Sequence, residues 1–223
     1  MNVNSKKRQT RTSAAHKFCC GWIHHTLELS MSGKAHLADS LIQFRKYKKM
    51  AEDAIAQISD KDFFKLLDPE ANNIALIVKH MAGNMRSRWT DFLTSDGEKP
   101  DRNRDSEFYE EKKDTRVSLM KRWEEGWGLV FDAIEPLREE DLDKTVFICG
   151  ESHTVLQAIN RQLTHYAYHI GQIVLLAKHF AGSKWKSLSI PKRKSKEFEV
   201  SKRGEILKMK PGGQKPKKRK IRK

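Results

Sequence analysis

Apolar residues recur with the 3.6-residue period of amphipathic helices in four separate stretches of the chain. In the first, Leu37, Leu41, Phe44, Ala51, Ile55 and Ile58 share a face, and Ser59-Asp60 closes the segment. The second carries Ile74, Ile77, Val78, Met81, Met85, Trp89 and Phe92, with Asn72 or Asn73 as its N-cap. The third has the cleanest spacing, through Met120, Trp123, Trp127, Val130, Ile134 and Leu137, and Pro136 marks its end. The fourth opens on a capping box, Thr154 with Gln157, and runs to Phe180 through Val155, Ile159, Leu163, Tyr166, Ile170, Ile173 and Ala177. A charged loop with Gly and Pro punctuation, Ser95 to Asp105, follows the second stretch, and Thr145 to Cys149 reads as a short strand. Four amphipathic helices and one long crossing loop predict an all-α, four-helix bundle.

The ends do not share this patterning. Of the net charge of +15, the segment 184–223 supplies 17 basic against 3 acidic residues, and residues 1–30 supply 5 against 1. The middle of the chain is therefore mildly acidic, and the basicity is no property of the predicted bundle. Three units follow: a poorly structured extension over 1–35, the bundle over 36–191, and a basic, disordered tail over 192–223. Trp185, Leu188 and Ile190 are candidates to pack back on the bundle before Pro191. Met31 is a candidate start, and residues 1–30 read first as a dispensable extension and second as a targeting segment. No apolar run approaches the ~20 residues of a membrane span. Three cysteines, two of them adjacent, make no disulfide framework, which points to a reducing, cytoplasmic setting.

The candidate chemistry lies in histidines. His165 and His169 are four residues apart in the fourth helix, so both rings project from one face. His80 falls on a stripe of the second helix beside its apolar face. If the two stripes meet, three imidazoles converge in the interior. On spacing alone the pair is also what a long helix produces by chance. It lacks the glutamate of the zinc-protease motif, because Tyr166 follows the first histidine. Asn84 and Arg88 lie one and two turns beyond His80 on its face, as candidates for substrate contact; a surface ion pair is the alternative for Arg88. Gln162 and Gln172 flank the pair and suit orientation of substrate or support of the ligands. Asp91 is a candidate supporting acid. Trp123 and Trp127 read as core. Cys19 and Cys20 with His16, His24 and His25 read as coincidence rather than a zinc site.

The stretches IALIVKHMAGNMRSRWTDFLTSDGEKP (74–100), LQAINRQLTHYAYHIGQIVLLAKH (156–179) and WKSLSIP (185–191) resemble the DinB-like (YfiT-like) family of metal-dependent hydrolases, over about 36–198. The resemblance implies an up-up-down-down four-helix bundle, commonly dimeric. It also implies one metal held by a histidine of the second helix and the paired histidines of the fourth, here His80, His165 and His169. Three neutral imidazoles leave a coordination position open and accept Zn²⁺, Ni²⁺ or Fe²⁺ alike. The expected function is metal-dependent hydrolysis of a small molecule, with Arg88, Asn84 and Gln162 as candidate catalytic residues. Transfer of a cellular thiol, which the resemblance includes, is the alternative. A binding protein whose C-terminal tail contacts nucleic acid is the alternative from another class.

Overall fold

The computed structural model describes residues 32–200 and 206–209. They form α1 (Gly33–Ile55), α2 (Asp60–Phe63), α3 (Ile74–Trp89), α4 (Arg116–Ile134), β1 (Thr145–Ile148), β2 (Glu151–Thr154), α5 (Val155–Ala181), β3 (Phe198–Val200) and β4 (Ile206–Met209). The framework is mostly helical, and two short antiparallel ladders, β1–β2 and β3–β4, add to the all-α expectation. No helix among the described residues is long and apolar enough to cross a membrane.

Each long helix begins where its side chains satisfy the free N–H groups of a first turn. The Asn73 side chain accepts from the Leu76 N–H at 2.9 Å. Thr154 and Gln157 form the expected capping box, and Thr115 with Ser118 forms a second one on α4. The first helix ends at Ile55 rather than running to Ile58, because Ser59 opens a new turn. Its hydroxyl accepts from the Asp62 N–H at 3.2 Å and caps α2, which buries Phe63 completely.

Packing pairs α3 mainly with α4, and α1 mainly with α5. Gly126 allows the first close approach: a Cβ there would lie 3.0 Å from Met85 Cε. At the centre each long helix contributes one aromatic ring. Phe44 of α1 meets Trp89, Trp127 and Tyr166 at centroid distances of 6.0, 6.1 and 5.8 Å. Such contacts add roughly 0.5–1.5 kcal/mol each beyond the area they bury. Trp123 and Trp127 are fully buried, as the sequence suggests.

The β1–β2 ladder turns through Cys149 and Gly150, both at positive φ (55° and 76°), the backbone that a two-residue hairpin with matching twist requires. The Asp96 carboxylate accepts from both turn N–H groups, at 2.8 and 2.7 Å, and ties the hairpin to the loop after α3. Of the three residues expected to pack back on the bundle, Trp185 and Leu188 lie against the core and Ile190 does not join them. Beyond them the chain forms β3 and β4, paired as Phe198↔Met209, Glu199↔Lys208 and Val200↔Ile206, inside the stretch that the sequence reading left without structure. Short alternating runs such as FEV and ILKM are overlooked beside a lysine-rich composition. The histidines and cysteines of 16–25 and the basic end beyond 209 lie outside the described residues.

Candidate metal centre

Helix α3 is buried on nearly every side, with 13 of its 16 residues inside, so its polar side chains must find partners within the protein. His80 is one of them, at 4% exposure. His165 and His169 project from α5 toward it. His165 Nε2 lies 3.0 Å from His169 Nε2 and 3.4 Å from His80 Nε2, and the candidate ligand atoms all lie within 4.8 Å of one another. Tetrahedral bonds of ~2.05 Å from zinc to imidazole place donor atoms about 3.3 Å apart, so the spacing fits one first-row cation.

The protonation pattern strengthens this fit. His80 Nδ1–H donates to Glu107 Oε2 at 2.8 Å, and His169 Nδ1–H donates to the Gln172 side-chain oxygen at 2.9 Å. With Nδ1 engaged in this way, the Nε2 atoms of His80 and His169 both face His165. Burial, reinforced by His169, His80, Arg88 and Arg102, pushes His165 down to about 3. Burial also lowers His169, against the opposing Gln172 hydrogen bond. These neutral rings are in the form that binds metal.

Behind His80 stands a buried ion network that sequence reasoning missed. Glu107, from the loop between α3 and α4, takes a two-pronged contact from Arg102, with Nε to Oε1 at 2.9 Å and Nη2 to Oε2 at 3.0 Å. Burial pushes the Glu107 carboxyl up, but the His80 and Arg102 hydrogen bonds outweigh it and hold the group below its usual range. Gly83 makes room for this carboxylate: a Cβ there would lie 2.2 Å from Glu107 Oε1. One sequence signal is Gly83 itself, which interrupts an otherwise strong helix. Replacing Glu107 by glutamine, or Gly83 by alanine, is expected to weaken metal affinity by roughly 10–100-fold, as loss of a ligand's supporting hydrogen bond does. Competition against a chromophoric chelator measures it. Unchanged affinity in both variants would leave Glu107 as a loop anchor only.

The triad opens on a cleft of about 750 Å³ lined also by Asn84, Arg88, Gln162 and Gln172. All four expected site residues therefore meet there, in different settings. Asn84 Oδ1 accepts from Tyr166 at 3.2 Å, and Tyr166 in turn accepts from the Trp89 indole at 2.9 Å. Gln162 Oε1 is buried without a hydrogen-bond partner. Arg88 Nη1 is committed to Gly97 O and to Glu98 at 2.8 Å, so Arg88 clamps the loop after its own helix. Asp91 is exposed past the end of α3 and does not line the cleft; the supporting acid is Glu107.

The family described as "Protein of unknown function (DUF1572)" matches residues 31–194. No curated protein and no solved structure matches the chain. Because the match spans more than half of the sequence, the chain belongs to the DUF1572 family.

Proposed function

We propose that this chain is a DinB-like metalloprotein, an up-up-down-down four-helix bundle, acting as a metal-dependent hydrolase on a small molecule. The observation that carries the proposal is the set of three facing Nε2 atoms, at 3.0 and 3.4 Å, two of them backed by hydrogen-bonded Nδ1 groups. A shared cation satisfies all three nitrogens at once, whereas one proton on His165 Nε2 serves one neighbour and leaves the other without a partner. Zn²⁺, Ni²⁺ and Fe²⁺ all suit the imidazole set. When bound, the metal supplies a Lewis acid with at least one open position, because the protein gives three ligands.

The chain's own residues do the rest. The cleft admits a small molecule beside the triad, and Asn84, its carbonyl held by Tyr166, presents its amide N–H₂ there. Gln162 lines the cleft beside it, with its Oε1 buried and without a partner. A homodimer, which the DinB-like resemblance implies, is part of the same proposal.

One observation favours thiol transfer as the second reading. Burial pushes Glu98 up, but the hydrogen bond from Arg88 and the charges of Arg102 and Arg88 hold it well below its usual range. Glu107 is similarly held low. Neither carboxylate is free to take a proton from a nucleophile. A thiol, which ionises at about pH 8.5 when free and so far more readily than water, needs that help least.

A panel of esters, amides and electrophilic alkylating agents, assayed on chain loaded with each metal, separates the two. Hydrolysis is expected to be thiol-independent and to rise with pH, whereas transfer requires added thiol. No turnover in either panel, with metal measured at one per chain, would overturn the enzymatic reading.

A further inference from the structure

The charges around the cleft do not cancel. Arg88 and Arg102 are matched by Glu98 and Glu107. Arg104 and Arg161 line the same cleft and have no acidic partner among the described residues. Both are nonetheless oriented. Arg104 stacks on Phe108, with its guanidinium carbon 5.1 Å from the ring centroid, and Phe108 lies 4.9 Å from the His80 ring. Arg161 Nη1 lies 3.1 Å from His153 Nε2, which fixes it from β2. It also precedes His165 by four residues, one turn along the same face of α5. Two guanidinium groups that line the same cleft as the histidines thus lack the anions that the rest of the network has.

We infer that Arg104 and Arg161 bind an oxyanion, a carboxylate or phosphate carried by the substrate, whose reacting end then lies at the histidine triad. The inference rests on the metal-centre reading for where the reaction occurs, but the anion contact stands without it. Guanidinium groups suit this role because their planar forks match carboxylate and phosphate oxygens. The cleft is a concave, positively charged site, which raises the local concentration of anions. Arg88, by contrast, already gives its Nη1 to Glu98 and the Gly97 carbonyl.

Calorimetric titration of the full chain with succinate, inorganic phosphate and uncharged succinamide at low ionic strength tests the clamp. Wild type is expected to bind an anion and not succinamide, and the tighter of succinate and phosphate identifies the oxyanion. Arg104→Gln and Arg161→Gln should each weaken binding by about tenfold, and the double variant by more. The basic tail is the same in every variant, so differences report the cleft. An affinity unchanged in the double variant, equal binding of succinamide, or no anion binding by wild type would overturn the inference. Titrations on chelator-stripped and zinc-loaded protein, with zinc measured in each, keep the two readings apart. Arginine-dependent binding by protein that takes up none of zinc, nickel or iron stoichiometrically would overturn the metal centre and leave the clamp. One zinc per chain with arginine-independent binding would do the reverse.

Discussion

Replacing both His165 and His169 by alanine is expected to reduce bound metal from near one per chain to background, with the helical circular dichroism retained. Four-ligand zinc sites supply about 10–16 kcal/mol, so each ligand accounts for roughly a quarter, and loss of two weakens binding by on the order of 10⁴-fold or more. His80 remains, still held by Glu107, but one imidazole does not retain a cation against solvent. A second measurement guards against a trivial loss of fold. Metal binds the folded chain and not the unfolded one, so loading should raise the melting temperature of wild type. The double variant should melt at the same temperature with and without metal. Equal metal content in the two proteins would end the assignment of this site.

Much of this centre was legible because its parts are periodic. The spacing of His165 and His169 needs only a helix to become a shared face, and the capping box at Thr154 and Gln157 announces that helix. Asn73 and the apolar positions of α3 likewise follow from local rules. What the sequence concealed is the loop between α3 and α4. Its acids and bases read as a solvated, charged connection, yet Glu98, Arg102, Glu107 and Asp114 turn inward to serve Arg88, His80 and Lys79. Those pairings join residues 5 to 35 positions apart in no repeating order, so no period reveals them. The hint lay in α3 instead. A helix buried on nearly all sides that contains a lysine, a histidine and two arginines must be answered by carboxylates, and the adjoining loop is the nearest supply. Arg88 carries both of its readings: it lines the cleft, as its position beside His80 suggests, and its Nη1 pairs with Glu98 and a backbone carbonyl, the ion-pair alternative.

Lys79 is the clearest case of that demand and carries the second large expected effect. Its side chain is 2% exposed, and its ammonium donates to Tyr109 O at 2.9 Å, Glu111 at 3.0 Å and Asp114 at 2.7 Å, so all three protons are used. Asp114 is 3% exposed and also accepts from the Glu111 N–H at 2.9 Å. This one side chain fastens the end of the loop that carries Glu107. Lys79→Met keeps the apolar stem and removes the charge, leaving the Asp114 carboxylate buried beside a thioether. Breaking one partner of a buried pair costs about 3–5 kcal/mol, and the variant is expected to lose stability on that scale at neutral pH. The pH dependence identifies the cause. In wild type, burial pushes Asp114 up but the Lys79 hydrogen bond and the Glu111 N–H outweigh it, so its pKa in the fold lies below the ordinary value. Its contribution is therefore present above that ordinary value and is lost as pH falls through the folded one. In Lys79→Met burial acts with less opposition and the pKa rises. The gap between variant and wild type should thus be widest near neutrality and narrow as acid neutralises Asp114. Urea denaturation of both proteins across that range measures it. A gap independent of pH would mean that Lys79 acts through packing alone. If the gap does narrow, Lys79→Met/Asp114→Leu, which removes both charges together, should recover much of the lost stability.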